Sequence, residues 1–219
     1  MLSAGLPRVS AAEGSGGRLM TFAGVDPRRD DALELLAAAA DRGLKLYPPM
    51  GFLPTDAIVD QLYEFFSARG LPVLFHTGPS VPTLHANNAH PSHLDGVARR
   101  FPELRIIQGH CGHEWWESAL VVAKHHPHVY VDVCCWQARY HRNPKRFYQI
   151  LRDMLDIAGP RKVLFASDFP AFEKLVDYER WVEVFRSPDP AVLEAAGVTF
   201  TDDERALVLA GNARRVLGI

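Results

Sequence analysis

Two histidines and an aspartate each close a short apolar run: His76 in "VLFH", His110 in "IIQGH" and Asp168 in "VLFASD". Imidazole and carboxylate together suit Zn²⁺ or another divalent transition metal. A metal so held lowers the pKa of bound water toward about 7 and supplies hydroxide at neutral pH. Lys45 and Tyr47 stand in "LKLYPP" and share one strand face by alternation. A lysine there either closes an ion pair with the metal-site carboxylate or anchors a substrate carboxylate. Asp26 closes a further run, where it serves equally as a turn-former before Pro27.

Six apolar runs position these residues, at 18–27, 44–49, 71–78, 104–112, 128–136 and 162–170. Most are continuous rather than alternating, as in parallel strands covered on both faces. Between them lie amphipathic stretches at 30–43, 54–70, 91–102, 114–126 and 144–159, with further helical stretches at 173–186 and from 201 onward. The pattern predicts Gly43 as a helix stop, Thr55 as an N-cap, Gly70 just past a helix end, and a capping box of Thr201 with Glu204. One strand plus one helix per roughly 30–35 residues is a βα unit. The fold class is therefore α/β with a parallel sheet. No G-x-G-x-x-G or G-x-x-x-x-G-K follows a strand. Polar residues instead gather at strand C-termini, as on the C-terminal face of barrel enzymes.

The 219 residues are 47% hydrophobic with a formal net charge of −2, which suits one globular domain with no nucleic-acid partner. No apolar run approaches the ~20 residues of a membrane span. Cys111, Cys134 and Cys135 make an odd count without a disulfide framework, so a reducing cytoplasm is expected. Cys134 and Cys135 are expected to end a strand, one pointing in and one out, in structural roles. Residues 1–17, rich in Gly, Ser and Ala, read as a flexible leader to a single domain over 18–219.

The wording around the polar residues is more specific. "GLKLYPPMGFLPTD", "LPVLFHTG", "HPSHLDGVARRFPELRIIQGHCG", "VYVDVCCW", "KVLFASDFP" and "AGNARRVLGI" occur in that order. Together they resemble the amidohydrolase-related ("amidohydrolase 2") family of metal-dependent barrel hydrolases and decarboxylases, over residues 18–219. The resemblance implies a TIM-type barrel and a divalent metal, most readily zinc. His76 and Asp168 would be ligands, His110 would hold or deprotonate the catalytic water, and Asp168 would shuttle a proton. It also implies that the first run here is the third barrel strand. The family's first-strand His-x-His then has no counterpart, which leaves an incomplete barrel with a weakened metal site.

Other histidines divide by position. His126-Pro127-His128 spells His-x-His but precedes a strand, at the wrong face, and reads as a solvated loop. His85 and His113 are candidate substrate contacts, on the loop after "VLFH" and at a helix start. Trp115 and Trp116 read as packing. The expected activity is a metal-dependent hydrolase acting on a small molecule. A decarboxylase of the same family, or an impaired barrel fragment kept as a scaffold, are the alternatives. A homodimer is expected to bury the unpaired edges of the first and last strands.

Overall fold

The computed structural model describes residues 14–39 and 42–219. Six strands form one sheet in the order β1-β2-β3-β4-β5-β6, and every pairing is parallel. They are β1 (Ala23–Gly24), β2 (Leu44–Leu46), β3 (Val73–His76), β4 (Ile106–Gly109), β5 (Val129–Asp132) and β6 (Val163–Leu164). Strands β1 and β6 are not paired, so the sheet stays open. The main helices are α1 (Ala32–Ala39), α2 (Ala57–Ala68), α3 (His93–Arg100), α4 (Trp116–His125), α5 (Gln137–Arg142), α6 (Pro144–Ala158), α7 (Tyr178–Arg186), α8 (Pro190–Ala196), α9 (Asp202–Ala206) and α10 (Asn212–Leu217).

Strand alternation sorts the core into two faces. Leu44, Leu46, Val73, Phe75, Ile106, Val129 and Val131 join the large outer core beneath the helices. Ile107, Tyr130 and Leu164 form a smaller inner cluster with Val216 of α10, packed against Phe22, Leu74 and Ala213. These inner residues are an apolar floor. One layer further toward the strand C-termini, the same face carries His76 and Asp132. Gly109, in register with His76, leaves room between them. A Cβ at Gly109 would stand 2.9 Å from the Phe75 carbonyl oxygen.

Several sequence expectations change here. The run 128–136 leaves the sheet at Asp132, so the two cysteines lie in the following turn. The first strand is only two residues long. Asp56, not Thr55, holds the N-cap position of α2, and its Oδ2 accepts a hydrogen bond from the Leu53 N–H at 2.7 Å rather than from a helix N–H. Gly43 is a site of close approach, since a Cβ there would meet the Phe22 ring at 2.4 Å and the Pro72 carbonyl at 2.7 Å. Gly70 does follow α2 at φ +62°, and Thr201 with Glu204 does form the reciprocal capping box. Helices α5 and α8 were not foreseen; Pro at N1 and a side-chain cap from Asp189 start α8.

The open edge at β6 is also not bare. The Asn212 side chain donates to the Val163 carbonyl at 2.7 Å and to the Pro160 carbonyl at 2.8 Å. The Phe165 N–H donates to the Val208 carbonyl at 2.9 Å. A wide π-type turn over Leu207–Gly211 frees that carbonyl. The chain's own C-terminal segment thus pairs the Val163 carbonyl of β6 and the Pro160 carbonyl and Phe165 N–H beside it. Among the described residues no helix is long and apolar enough to cross a membrane.

Candidate active site

The C-terminal rim of the sheet gathers His76, His110, Asp132, Cys134, Cys135, Asp168, Lys45 and Tyr47. Strand β4 delivers His110 into a sharp turn. His110, Cys111 and His113 have φ of 67°, 45° and 49°, with Gly112 also left-handed. Such conformations cost a non-glycine residue roughly 1–2 kcal/mol each. Among the described residues, Cys135 and Asp168 complete the set of positive-φ non-glycine residues, and all five lie on this rim. Strain confined to one place points to a built site.

Buried hydrogen bonds offset that strain. Asp132 is 5% exposed, and its Oδ1 accepts from the His110 N–H at 2.7 Å and from the Cys134 N–H at 3.1 Å. Trp136 Nε1–H donates to the His110 carbonyl at 2.8 Å. Thr77 Oγ1 donates to the Gly109 carbonyl at 2.6 Å and accepts from the Gly112 N–H at 3.0 Å. The His110 ring is therefore aimed by its backbone.

Both nitrogens of His110 are engaged. Nε2 lies 2.9 Å from His76 Nδ1, and Nδ1 lies 3.0 Å from Cys134 Sγ. The atom left open is His76 Nε2, which is buried and has no hydrogen-bond partner. Tyr47 packs on the His76 ring at 4.4 Å between centroids and shares a 2.7 Å hydrogen bond with Ser80. Cys135 Sγ–H donates to Asp168 Oδ2 at 3.1 Å. Lys45 is half-buried, and its side chain has neither a hydrogen bond nor a salt bridge to a described residue, although Asp132 and Asp168 act on its charge.

These surroundings separate the protonation behaviour of neighbours. Burial, then the charges of His110 and Lys45, pushes the His76 pKa down to about 3. Burial also opposes a charge on His110, but the contact with Cys135 and the Asp132 carboxylate outweigh it, and the pKa rises. Burial depresses the Lys45 amine, with Asp132 working against it. A hydrogen bond from Cys134 makes Cys135 easier to ionise, against burial, while Cys134 itself is pushed far toward the neutral thiol.

The remaining sequence candidates scatter. His113 is half-buried beside the site, 3.4 Å from Glu114 and edge-on to Trp136 at 6.3 Å. His85 is exposed on its loop, where its backbone N–H donates to the Pro49 carbonyl at 3.0 Å. Asp26 accepts from the Arg28 N–H at 3.0 Å and pairs with its guanidinium, the turn-forming arrangement. His126 pairs with Asp95 at 2.8 Å at the opposite end of the sheet. Sequence reasoning missed Asp132, Cys134 and Cys135 as parts of this rim. The signal for Asp132 was its place two residues after Tyr130, on the inner face.

The family model described as "Amidohydrolase" matches residues 8–219. The chain belongs to the amidohydrolase family. No curated protein matches it. Solved structures share the fold of this amidohydrolase-family chain at low identity. A probable 2-pyrone-4,6-dicarboxylic acid hydrolase from Acinetobacter baumannii, with citric acid bound, is 18% identical at a TM-score of 0.66, covering 96% of this chain and 77% of that one. A 5-carboxyvanillate decarboxylase from Sphingomonas paucimobilis is 18% identical at 0.66, covering 96% and 69%. An amidohydrolase from Burkholderia multivorans with bound zinc is 16% identical at 0.67, covering 95% and 76%. The fold is thus TIM-barrel-like and incomplete, with its six-stranded sheet open.

A zinc centre on His76 and Asp168 needs further donors beside them. In this amidohydrolase-family chain, His76 gives its Nδ1 to His110, and Asp168 accepts from Cys135. Among the described residues, the one group of three or more His, Cys, Asp or Glu donors close enough to share an ion is His110, Cys134 and Cys135. His76 keeps its Nε2 free, Asp168 Oδ2 lies beside Cys135, and no group of three close donors among the described residues includes either of them.

Proposed function

We propose that this chain is a hydrolase acting on a small molecule that carries a carboxylate. The observation that supports it is His76 Nε2, buried and unpartnered at the mouth of the sheet. A buried polar atom left unpaired costs about 1–3 kcal/mol, which a substrate atom or a held water recovers. Lys45 supplies the cation for the carboxylate.

His76 and His110 then work as a pair. With His110 neutral, His76 donates its Nδ1–H to His110 Nε2 and presents Nε2 as a base. Water attacks the acyl carbon, its proton passes to His76 Nε2, and the Nδ1 proton moves to His110 Nε2. The same protons return along this path to the leaving group. His76 touches the reacting water and is the catalytic base. His110 is a positioning residue behind it, and Asp168, across Cys135, is the second candidate for proton exchange at the rim. Because the His110 pKa is raised, hydrolysis rises with pH above the ordinary imidazole range. The proton relay uses no metal; the nitrogen and sulfur donors on the rim would suit zinc as its ion.

Lys45 also favours a second reading, decarboxylation. It would hold the scissile carboxylate while the C–C bond breaks, the electron pair stays on carbon, and His76 Nε2–H protonates that carbon. A homodimer, joined where β1 has no outer partner among the described residues, completes the proposal.

The test offers the full chain carboxylate-bearing lactones, esters and amides, and separately hydroxybenzoates. Acid release supports hydrolysis and CO₂ release supports the second reading. His76→Ala and Lys45→Met should each lower the rate by about 10²–10⁴-fold. Turnover of neither class, or turnover indifferent to His76, would overturn the proposal.

A further inference from the structure

Adjacent cysteines in an extended strand point to opposite faces. Here β5 ends at Asp132 and Cys135 takes φ +66°, so both thiols turn toward one imidazole. Cys134 Sγ is 3.0 Å from His110 Nδ1, and a ring nitrogen of His110 and the two sulfurs all lie within 4.8 Å of one another. The arms carrying them are fixed by the backbone, because a single carboxylate oxygen of Asp132 holds the N–H groups of both His110 and Cys134. Asp168 Oδ2 stands 3.1 Å from Cys135 Sγ, on the open side.

We propose that His110 Nδ1, Cys134 Sγ and Cys135 Sγ form a thiolate–imidazole site for a borderline or soft d¹⁰ divalent cation, zinc or cadmium, with Asp168 or water in the fourth position. Bonds of about 2.3 Å to sulfur and 2.0–2.1 Å to nitrogen at tetrahedral angles separate donors by roughly 3.5–3.8 Å. The gap between Cys134 and His110 therefore opens by about half an ångström. Two thiol protons leave to solvent as the ion enters. With the ion on Nδ1, His110 carries its proton on Nε2 and donates it to His76 Nδ1, the reverse of the metal-free hydrogen bond, which fixes the ligand's tautomer from the outer shell. Sulfur donors select against magnesium and manganese. This site replaces the His76–Asp168 centre as the place where the chain takes metal. It stands whether or not the hydrolase reading holds, since loading needs no substrate.

The test uses the purified full chain, reduced and stripped with EDTA. One equivalent of Co²⁺ should give a thiolate-to-cobalt charge-transfer band, which zinc removes by displacement and magnesium does not. Cys134→Ser and Cys135→Ser should each abolish the band. His76→Ala should keep it, with affinity weakened no more than about 10–100-fold, as for loss of an outer-shell partner. Should the serine variants fail to fold, the unmodified chain still decides: zinc should protect Cys134 and Cys135 from iodoacetamide, read peptide by peptide. A missing band, a band that survives Cys135→Ser, or equal alkylation with and without zinc would overturn the proposal.

Discussion

Replacing His76 with Gln should flatten the acid side of the stability profile. The His76 pKa is pushed down to about 3 in the folded chain, against about 6.5 in an unfolded one. A depressed histidine pKa leaves stability intact above pH 6.5. It removes stability as pH falls toward 3, because the unfolded chain takes up a proton that the native site refuses. Integrated between pH 7.5 and 4.5, this one group costs about 2.7 kcal/mol. His110, with its raised pKa, works in the opposite sense, and carboxylates elsewhere contribute to both proteins alike. The difference between the two profiles therefore reports His76. Urea unfolding of EDTA-treated protein at pH 7.5, 6.0 and 4.5, followed by circular dichroism, measures it. Parallel profiles for the parent chain and His76→Gln would refute the reasoning, since His76 would then titrate like a solvated imidazole.

Three further outcomes follow from the packing around the site. Asp132→Ala leaves the buried N–H groups of His110 and Cys134 without their acceptor and should cost roughly 2–5 kcal/mol in urea unfolding, with Asp132→Asn less damaging. Gly109→Ala drives a Cβ to 2.9 Å from the Phe75 carbonyl; a loss of about 1–3 kcal/mol is expected in thermal or urea unfolding. Asn212→Ala uncovers the Val163 and Pro160 carbonyls at the β6 edge, which should cost about 1–3 kcal/mol and raise self-association in light scattering.

The fold was legible because its signal is carried by many residues. Continuous apolar strands between amphipathic helices read as a parallel sheet, and the residues at strand ends read as a rim. His76 and His110 were found in this way, the first as the last residue of its strand and the second directly after its own. Cys134 and Cys135 were not, because strand alternation was extended past Asp132. A left-handed φ at Cys135 cancels that alternation, and nothing in "VDVCCW" marks the residue that will carry it. The engaged nitrogens of His110 were equally hidden, since they depend on where Cys134 and His76 meet in space. The covered β6 edge depends on a π-type turn at Leu207–Gly211, whose sequence reads as ordinary helix.

The central claim is that the rim binds carboxylates through His76 Nε2 and Lys45. Histidine side-chain ¹⁵N spectra of the full chain, titrated with citrate, the acid bound in the Acinetobacter relative, test it most directly. The account predicts a saturable shift at His76, none at the exposed His85, and loss of the shift in Lys45→Met. An unmoved His76, or the same titration in Lys45→Met, would contradict it.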